Sequence, residues 1–235
     1  MRFEFPSDPA DLAAFGEELA WRYFYRVDIG HEDRAKTELY RAKAQTEEAS
    51  KSFQRPEEFL ESLRMEARFS VNDASLIARS AQLSQKTNQF NLTLKRYTEA
   101  QISGLLHDPN YVLIAASLND RFTDHGWIGL AIFKREDTGA YLELDSFMMS
   151  CRVIGRSFEP VFLASCVGYL RKTCALPIRA SFVPGPRNSL ARDFLEEAGF
   201  RLLKENGSGS RRFELHGSIE APRQGIFAVN WTAGQ

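Results

Sequence analysis

The residues best suited to chemistry lie in one run, from Glu143 through Asp145, Ser150 and Cys151 to Ser157. Residues 141–149 read as a strand that ends in Ser150-Cys151, and residues 157–173 read as an amphipathic helix. That spacing puts the Cys151 thiol just before a helix N-terminus and beside Arg152, and both features favour thiolate. A thiolate can take an acyl group from a thioester by exchanging one thiol for another. The commoner fate of a cysteine is to pack as a small apolar side chain, which suits Cys166 and Cys174 within the following helix. Between strand and helix, Arg152, Val153, Gly155, Arg156 and Ser157 form a loop that suits an anion. The first turn of a helix offers unpaired N–H groups, glycine permits close approach, and arginine adds bidentate donors.

Other polar residues fall around this loop. Asp145 and Glu143 alternate on one strand face, so either is placed as a general base, with Asp145 the first choice. Asn88, Gln89 and Asn91 form an amide cluster that could bind ligand amides or hydroxyls, or could simply shape turns. Lys86 and Arg96 are candidate phosphate contacts. Arg187 and Asn188 precede the last helix and face the same ligand, unless Asn188 serves only as a cap. Asp120 and Asp124 flank a hairpin turn, and His125 is the one histidine placed as a base. The four histidines show no ligand spacing, and no zinc pattern, phosphate-binding P-loop or serine elbow is present, so no metal is expected.

The elements that must position these residues follow from patterning. Up to about residue 60 the chain reads as helices, with a cap at Ser7 or Asp8 before Pro9 and apolar residues at Leu12, Phe15, Leu19 and Tyr23. Residues 31–52 are charge-interlaced and read as a solvated helix. From residue 63 onward strands and helices alternate: strand 64–71, a helix capped by Asn72, and a helix capped by Thr98 with a capping box to Gln101. Three strands follow in succession, then helix, strand, helix and two strands. This order describes an α/β domain with a mixed sheet. Residues 218–235 read as a partly ordered tail.

Composition narrows the class. Of 235 residues, 30 are Lys or Arg and 31 are Asp or Glu, giving a net charge of −1. A nucleic-acid binder would carry a basic excess, so none is expected as a partner. Apolar runs such as VLIAASL fall short of the ~18 residues a membrane span needs. The start MRFEFPSDP has no apolar signal core, and three cysteines cannot all pair, so a reduced, cytoplasmic setting is expected.

Arg152-x-x-Gly155-x-Ser157 resembles the pyrophosphate loop of the GNAT acetyltransferase fold, and Asn188-x-x-Ala191 with Gly199-Phe200 resembles its last helix and strand. The resemblance implies a GNAT-like mixed central sheet flanked by helices, with an N-terminal helical extension. It also implies an acyl-coenzyme A whose pantetheine arm lies between two splayed strands, the amides of Asn88, Gln89 and Asn91 being suited to that arm. Leu195 stands where many such enzymes carry a tyrosine acid, which argues against ordinary amine acetylation. The run from Gln82 to Thr93, Asp120-Arg121-Phe122-x-Asp124, Asp145-x-Phe147 and Ser150–Arg156 more closely resemble the C-terminal half of FkbH-like proteins. Glu32-Asp33-Arg34 and Phe59-Leu60-x-x-Leu63 resemble the connector that precedes it.

Complete members of that family join a haloacid-dehalogenase-type (HAD) phosphatase to this half and are associated with loading a glyceryl unit onto an acyl carrier protein. No Asp-x-Asp nucleophile motif of the phosphatase type occurs here, so phosphatase activity is not expected of this chain. The resemblance therefore implies residues 1–60 as a connector, 61–217 as the acyltransferase-like domain and 218–235 as a tail. It implies Cys151 and Asp145 as catalytic residues, and Arg152, Val153, Gly155, Arg156, Ser157 and Asn188 around coenzyme A or a phosphopantetheine arm. The partners implied are an acyl carrier protein and a separate HAD-type phosphatase. Two other readings stand beside it: a non-catalytic docking module for those partners, and an acetyl-CoA-dependent N-acetyltransferase.

Overall fold

The computed structural model describes residues 6, 8, 11–20, 22, 44–46, 48–220 and 224–233. The chain forms two compact units, Met1–Ala44 and Gln45–Gln235. In the first, helix α1 (Leu12–Leu19) starts after Asp11, and none of its side chains is buried. The start expected at Pro9 and the anchor Tyr23 lie outside the described residues, as does the stretch 31–43.

In the second unit, helix α2 (Pro56–Ser62) begins with proline, whose fixed φ suits a first turn. Strand β1 (Met65–Val71) follows, with Met65, Ala67 and Phe69 buried at period two. A short 3-10 turn leads into helix α3 (Ile77–Lys86). Next come strand β2 (Phe90–Asn91) and helix α4 (Glu99–His107), which opens with the expected Thr98–Gln101 capping box. Strands β3 (Tyr111–Asn119), β4 (Asp124–Arg135) and β5 (Leu142–Met149) run as an antiparallel meander. Helix α5 (Phe158–Arg171), strand β6 (Ile178–Phe182), a short helix α6 (Phe194–Glu197) and strands β7 (Arg201–Glu205), β8 (Arg211–Leu215) and β9 (Phe227–Ala233) complete the unit.

The sheet order is β7-β8-β6-β5-β4-β3-β1-β9, with β2 added on β5. The β5/β6 and β1/β9 pairs are parallel and the others antiparallel, so the chain is a mixed α/β structure with a central mixed sheet flanked by helices. Alternation along β4 sends Ala131 and Phe133 to one face and Leu130 and Ile132 to the other. The first face packs against α5 through a phenylalanine cluster in which Phe147 and Phe162 lie 4.8 Å apart. The second receives Ala81 and Leu83 of α3 and Ile102 of α4.

Several expectations change in three dimensions. Leu60 and Leu63, ahead of the first strand, are buried in the main core. Asp73, not Asn72, accepts the cap hydrogen bond at the 3-10 turn; Asn72 is left-handed (φ 49°) and its Oδ1 accepts from the N–H of Leu113. Within the tail, residues 227–233 form a strand: β9 pairs with all of β1, and the Trp231 ring lies 4.9 Å from those of Phe69 and Tyr169. Residues 90–91, a loop by their amide-rich sequence, form the short strand β2.

Candidate functional site

The loop between β5 and α5 is tighter than its sequence suggests. The strand ends at Met149, and a 3-10 turn, Cys151–Val153, follows before α5 begins at Phe158. Cys151 is exposed and sits on that turn, seven residues ahead of the helix, rather than directly at its positive end. Val153, expected to face a cofactor, is fully buried; its N–H donates to Ser150 O at 3.4 Å. Gly155 has φ of 90°, a left-handed turn that glycine adopts without strain, and it is exposed. Ser157 caps α5 in a left-handed conformation with no side-chain cap bond.

Arg156, expected to hold phosphate, is committed inside the protein. Its Nε and Nη2 donate to one oxygen of Asp120 at 3.0 and 2.9 Å, and its Nη1 donates to Arg152 O at 3.2 Å. The Asp120 carboxylate, 0% exposed, also accepts from the N–H groups of Phe122 and Thr123 and stands 2.8 Å from His125 Nε2. Arg152 is exposed, and its charge adds to burial in lowering the pKa of neighbouring Arg79. Arg79 in turn donates to Trp127 O at 2.8 and 2.6 Å.

The N-terminus of α5 carries its own acid. Glu159 stands in its first turn, where Pro160 has no N–H to offer. Burial raises its pKa above the ordinary glutamate value. A cavity of about 460 Å³ opens here, with Glu159 and Glu197 among its lining residues beside Phe90, Ile154, Leu190 and Phe194. No cation is among its lining residues.

The two central strands part as the resemblance implies. β5 and β6 pair only over Leu142–Leu144 and Ile178–Ala180, then diverge. Residues 90–93 lie in the resulting gap. Phe90 and Asn91 pair with Met149 and Met148 of β5, and the Leu92 N–H donates to Phe147 O at 3.1 Å. On the other side the Val183 N–H, just past β6, donates to Leu92 O at 2.8 Å. Asn188 Nδ2 donates to Asn91 O and Val183 O, both at 2.9 Å, and its Oδ1 accepts from the Gly185 N–H at 2.7 Å. Asn91 Oδ1 accepts from the Leu94 N–H at 2.9 Å, and its Nδ2 donates to Thr87 O at 3.3 Å.

Asn91 and Asn188 are thus buried clips between main-chain segments, not open ligand donors. Asn88 accepts from Arg96, which also bonds the carbonyls of Ser84 and Thr87, so Arg96 closes a loop instead of meeting a phosphate. Gln89 and Lys86 are exposed.

Asp145 is the extra residue of a bulge opposite Ile132 and Phe133. Its carboxylate accepts from Lys95 Nζ and from the Tyr97 hydroxyl. Burial first, then that hydrogen bond, raises the Tyr97 pKa above its ordinary value. Glu143 is engaged by Arg212 Nη2 at 3.1 Å. Cys166 is buried, and burial raises its thiol pKa. Leu195 is fully buried in the main core.

The resemblance implies coenzyme A or a phosphopantetheine arm, and the residues present do not fit that arm as it would lie in the gap. Along the gap, residues 90–93 take groups of β5 and the N–H of Val183 just past β6, and Glu159 and Glu197 but no cation line the cavity at α5, where an anion would sit. Among the described residues no group of three or more His, Cys, Asp or Glu could hold a metal ion. No described helix is long and apolar enough to cross a membrane.

No protein-family model and no curated protein matches the sequence. Among solved structures, the chain is similar to a spermidine N-acetyltransferase from Vibrio cholerae at 14% identity and a TM-score of 0.48, covering 64% of this chain and 94% of that one. It is similar to the GNAT domain of PAT from S. lividans at 14% identity and a TM-score of 0.48, covering 63% and 89%. A Bacillus anthracis chain described as a streptothricin acetyltransferase, in complex with acetyl coenzyme A, matches at 14% identity and a TM-score of 0.40, covering 49% and 68%. Those names belong to the neighbours, and what this chain does rests on its own residues.

Proposed function

We propose that this chain is an acyltransferase-like domain that receives a small acyl group from the thioester arm of an acyl carrier protein, with Cys151 as acceptor. The observation that carries this reading is the exposure of Cys151: Cys166 is buried and Cys174 half-buried, whereas Cys151 stands on the turn after the central strand. Its neighbour Arg152 is exposed, as are Arg187 and Arg192, and carrier proteins are acidic.

In the exchange the Cys151 sulfur bonds to the thioester carbonyl carbon, and the carbon–sulfur bond to the arm breaks. The departing thiolate takes up the proton lost from Cys151, so one thioester replaces another. Asp145 is assigned a positioning part: it anchors Lys95 and Tyr97 beside β5. The resemblance to FkbH-like proteins suggests a glyceryl or other small hydroxyacyl group, and a separate HAD-type phosphatase as a further partner.

The test is intact-protein mass spectrometry after incubation with glyceryl-carrier protein. A mass gain mapped to Cys151 and lost in Cys151→Ala supports acyl capture. Carrier binding without any gain, in folded protein, leaves the second reading, a docking module. The filled gap between β5 and β6 favours that second reading, because it withholds the usual place for a thioester arm.

A further inference from the structure

We infer that residues 90–93 are a built-in occupant of the gap between β5 and β6 and keep an extended arm of the pantetheine kind out of it. This goes beyond acyl capture at Cys151, which can fail while the strap holds, or succeed while it does not.

An extended arm carrying amides binds a parted pair of strands by meeting their free N–H and C=O groups. Here the groups of β5 along the gap, and the peptide groups of Val183 just past β6, already have partners from within the chain. Leu92 alone takes a carbonyl of β5 (Phe147 O, 3.1 Å) and the N–H just past β6 (Val183 N, 2.8 Å), spanning the gap with its own peptide groups. Phe90 and Asn91 continue the pairing toward the end of β5. The side chains make the strap part of the core: Leu92 is 1% exposed and Phe90 packs edge-on to Phe147 and Phe194.

Both flanks are tied down. At one end Asn91 bonds Thr87 and Arg96 bonds Thr87 and Asn88. At the other, Thr93 Oγ1 donates to Asp145 O at 3.1 Å, and Leu94 turns left-handed (φ 57°) against Gly185. Asn188 is the clip, because one buried amide holds the strap carbonyl of Asn91, the β6 extension at Val183 and the turn at Gly185. The lining of the cavity beside the strap agrees, since it includes Glu159 and Glu197 and no cation.

The experiment combines hydrogen exchange across residues 88–95 with calorimetric titration of coenzyme A and of pantetheine, on the full chain. Wild type is expected to bind neither ligand and to protect the Leu92 amide strongly. Asn188→Ala, and separately the milder Thr93→Val, should speed strap exchange about tenfold or more, and pantetheine binding should appear with it. Thr93→Val decides the matter if Asn188→Ala does not fold. Ligand binding by wild type with the strap still protected overturns the inference. So does a folded variant with a fast-exchanging strap that binds nothing, or the absence of faster exchange in every folded variant. None of these outcomes depends on whether Cys151 becomes acylated.

Discussion

Arg156 and Asp120 form a double hydrogen bond at 2.9 and 3.0 Å, the carboxylate wholly buried and the guanidinium nearly so. The pair ties the loop ahead of α5 to the turn between β3 and β4. It is why an arginine placed well for phosphate serves the fold instead. Removing Asp120 leaves a buried guanidinium without its counter-charge, so Asp120→Ala should cost about 3–5 kcal/mol in denaturant unfolding.

The same pair sets a pH dependence. Burial alone raises the Asp120 pKa, but hydrogen bonds from His125 and the Phe122 N–H, with the Arg156 charge, outweigh it and hold the value well below the carboxylate range. A depressed folded pKa stabilises above the unfolded value, about 4, and that stabilisation is lost as pH falls toward the folded one. Stability measured from pH 6 downward should therefore fall below about pH 4, and the dependence should flatten in Asp120→Asn.

Glu159 has the opposite sign. Burial lifts its pKa, so its contribution is fully present below the unfolded value and is lost as pH rises through the folded one. Glu159→Gln keeps the size and shape of the side chain while dropping the charge that burial disfavours. Its Tm should exceed that of wild type at pH 7, with the gain shrinking toward pH 4. A scan of Tm against pH checks both the direction and the window.

Tyr97 donates to Asp145 from a partly buried position, and Ser146 Oγ lies 3.0 Å from the same hydroxyl. Tyr97→Phe removes a donor to a charged acceptor and should cost about 1.5–3 kcal/mol in urea. Its effect on mass gain at Cys151 separates positioning from stability: rescue of folding by added osmolyte without rescue of acyl capture assigns Asp145 and Tyr97 to the site.

Gly129 offers a test of the core. A Cβ there would meet Phe162 Cε1 at 2.6 Å and Ala116 Cβ at 3.3 Å. The ring is held by Phe147 and Phe69 and cannot yield freely, so Gly129→Ala should destabilise by about 1–3 kcal/mol. Cys151→Ala, on an exposed turn, should stay within about 0.5 kcal/mol of wild type.

Much of the fold was readable along the chain because its signals are local. The Thr98–Gln101 capping box joins residues three apart, the alternation along β1 and the first half of β5 marks strands with one buried face, and the unbroken apolar runs of β3 and β4 mark strands buried on both. The short last helix was overestimated: residues 189–199 form a 3-10 turn and four helical residues, with Asn188 pulled into the gap instead of capping a longer helix. Strand β2 left a trace in the alternation of Phe90, Leu92 and Leu94, but the amides between them drew the reading toward a ligand.

The sequence by itself determined the α/β class, the order of the central elements and the place of the strand–loop–helix around Cys151, since turn chemistry and hydrophobic period act within a few residues. Tertiary structure alone decided which polar groups remain available. Arg156 meets Asp120 across 36 positions, and Asn188 meets Asn91 across 97. A side chain's chemistry is written in its residue type, but its partners depend on which distant segments the fold presses against it, because a buried polar group must find a hydrogen bond wherever the packed chain supplies one.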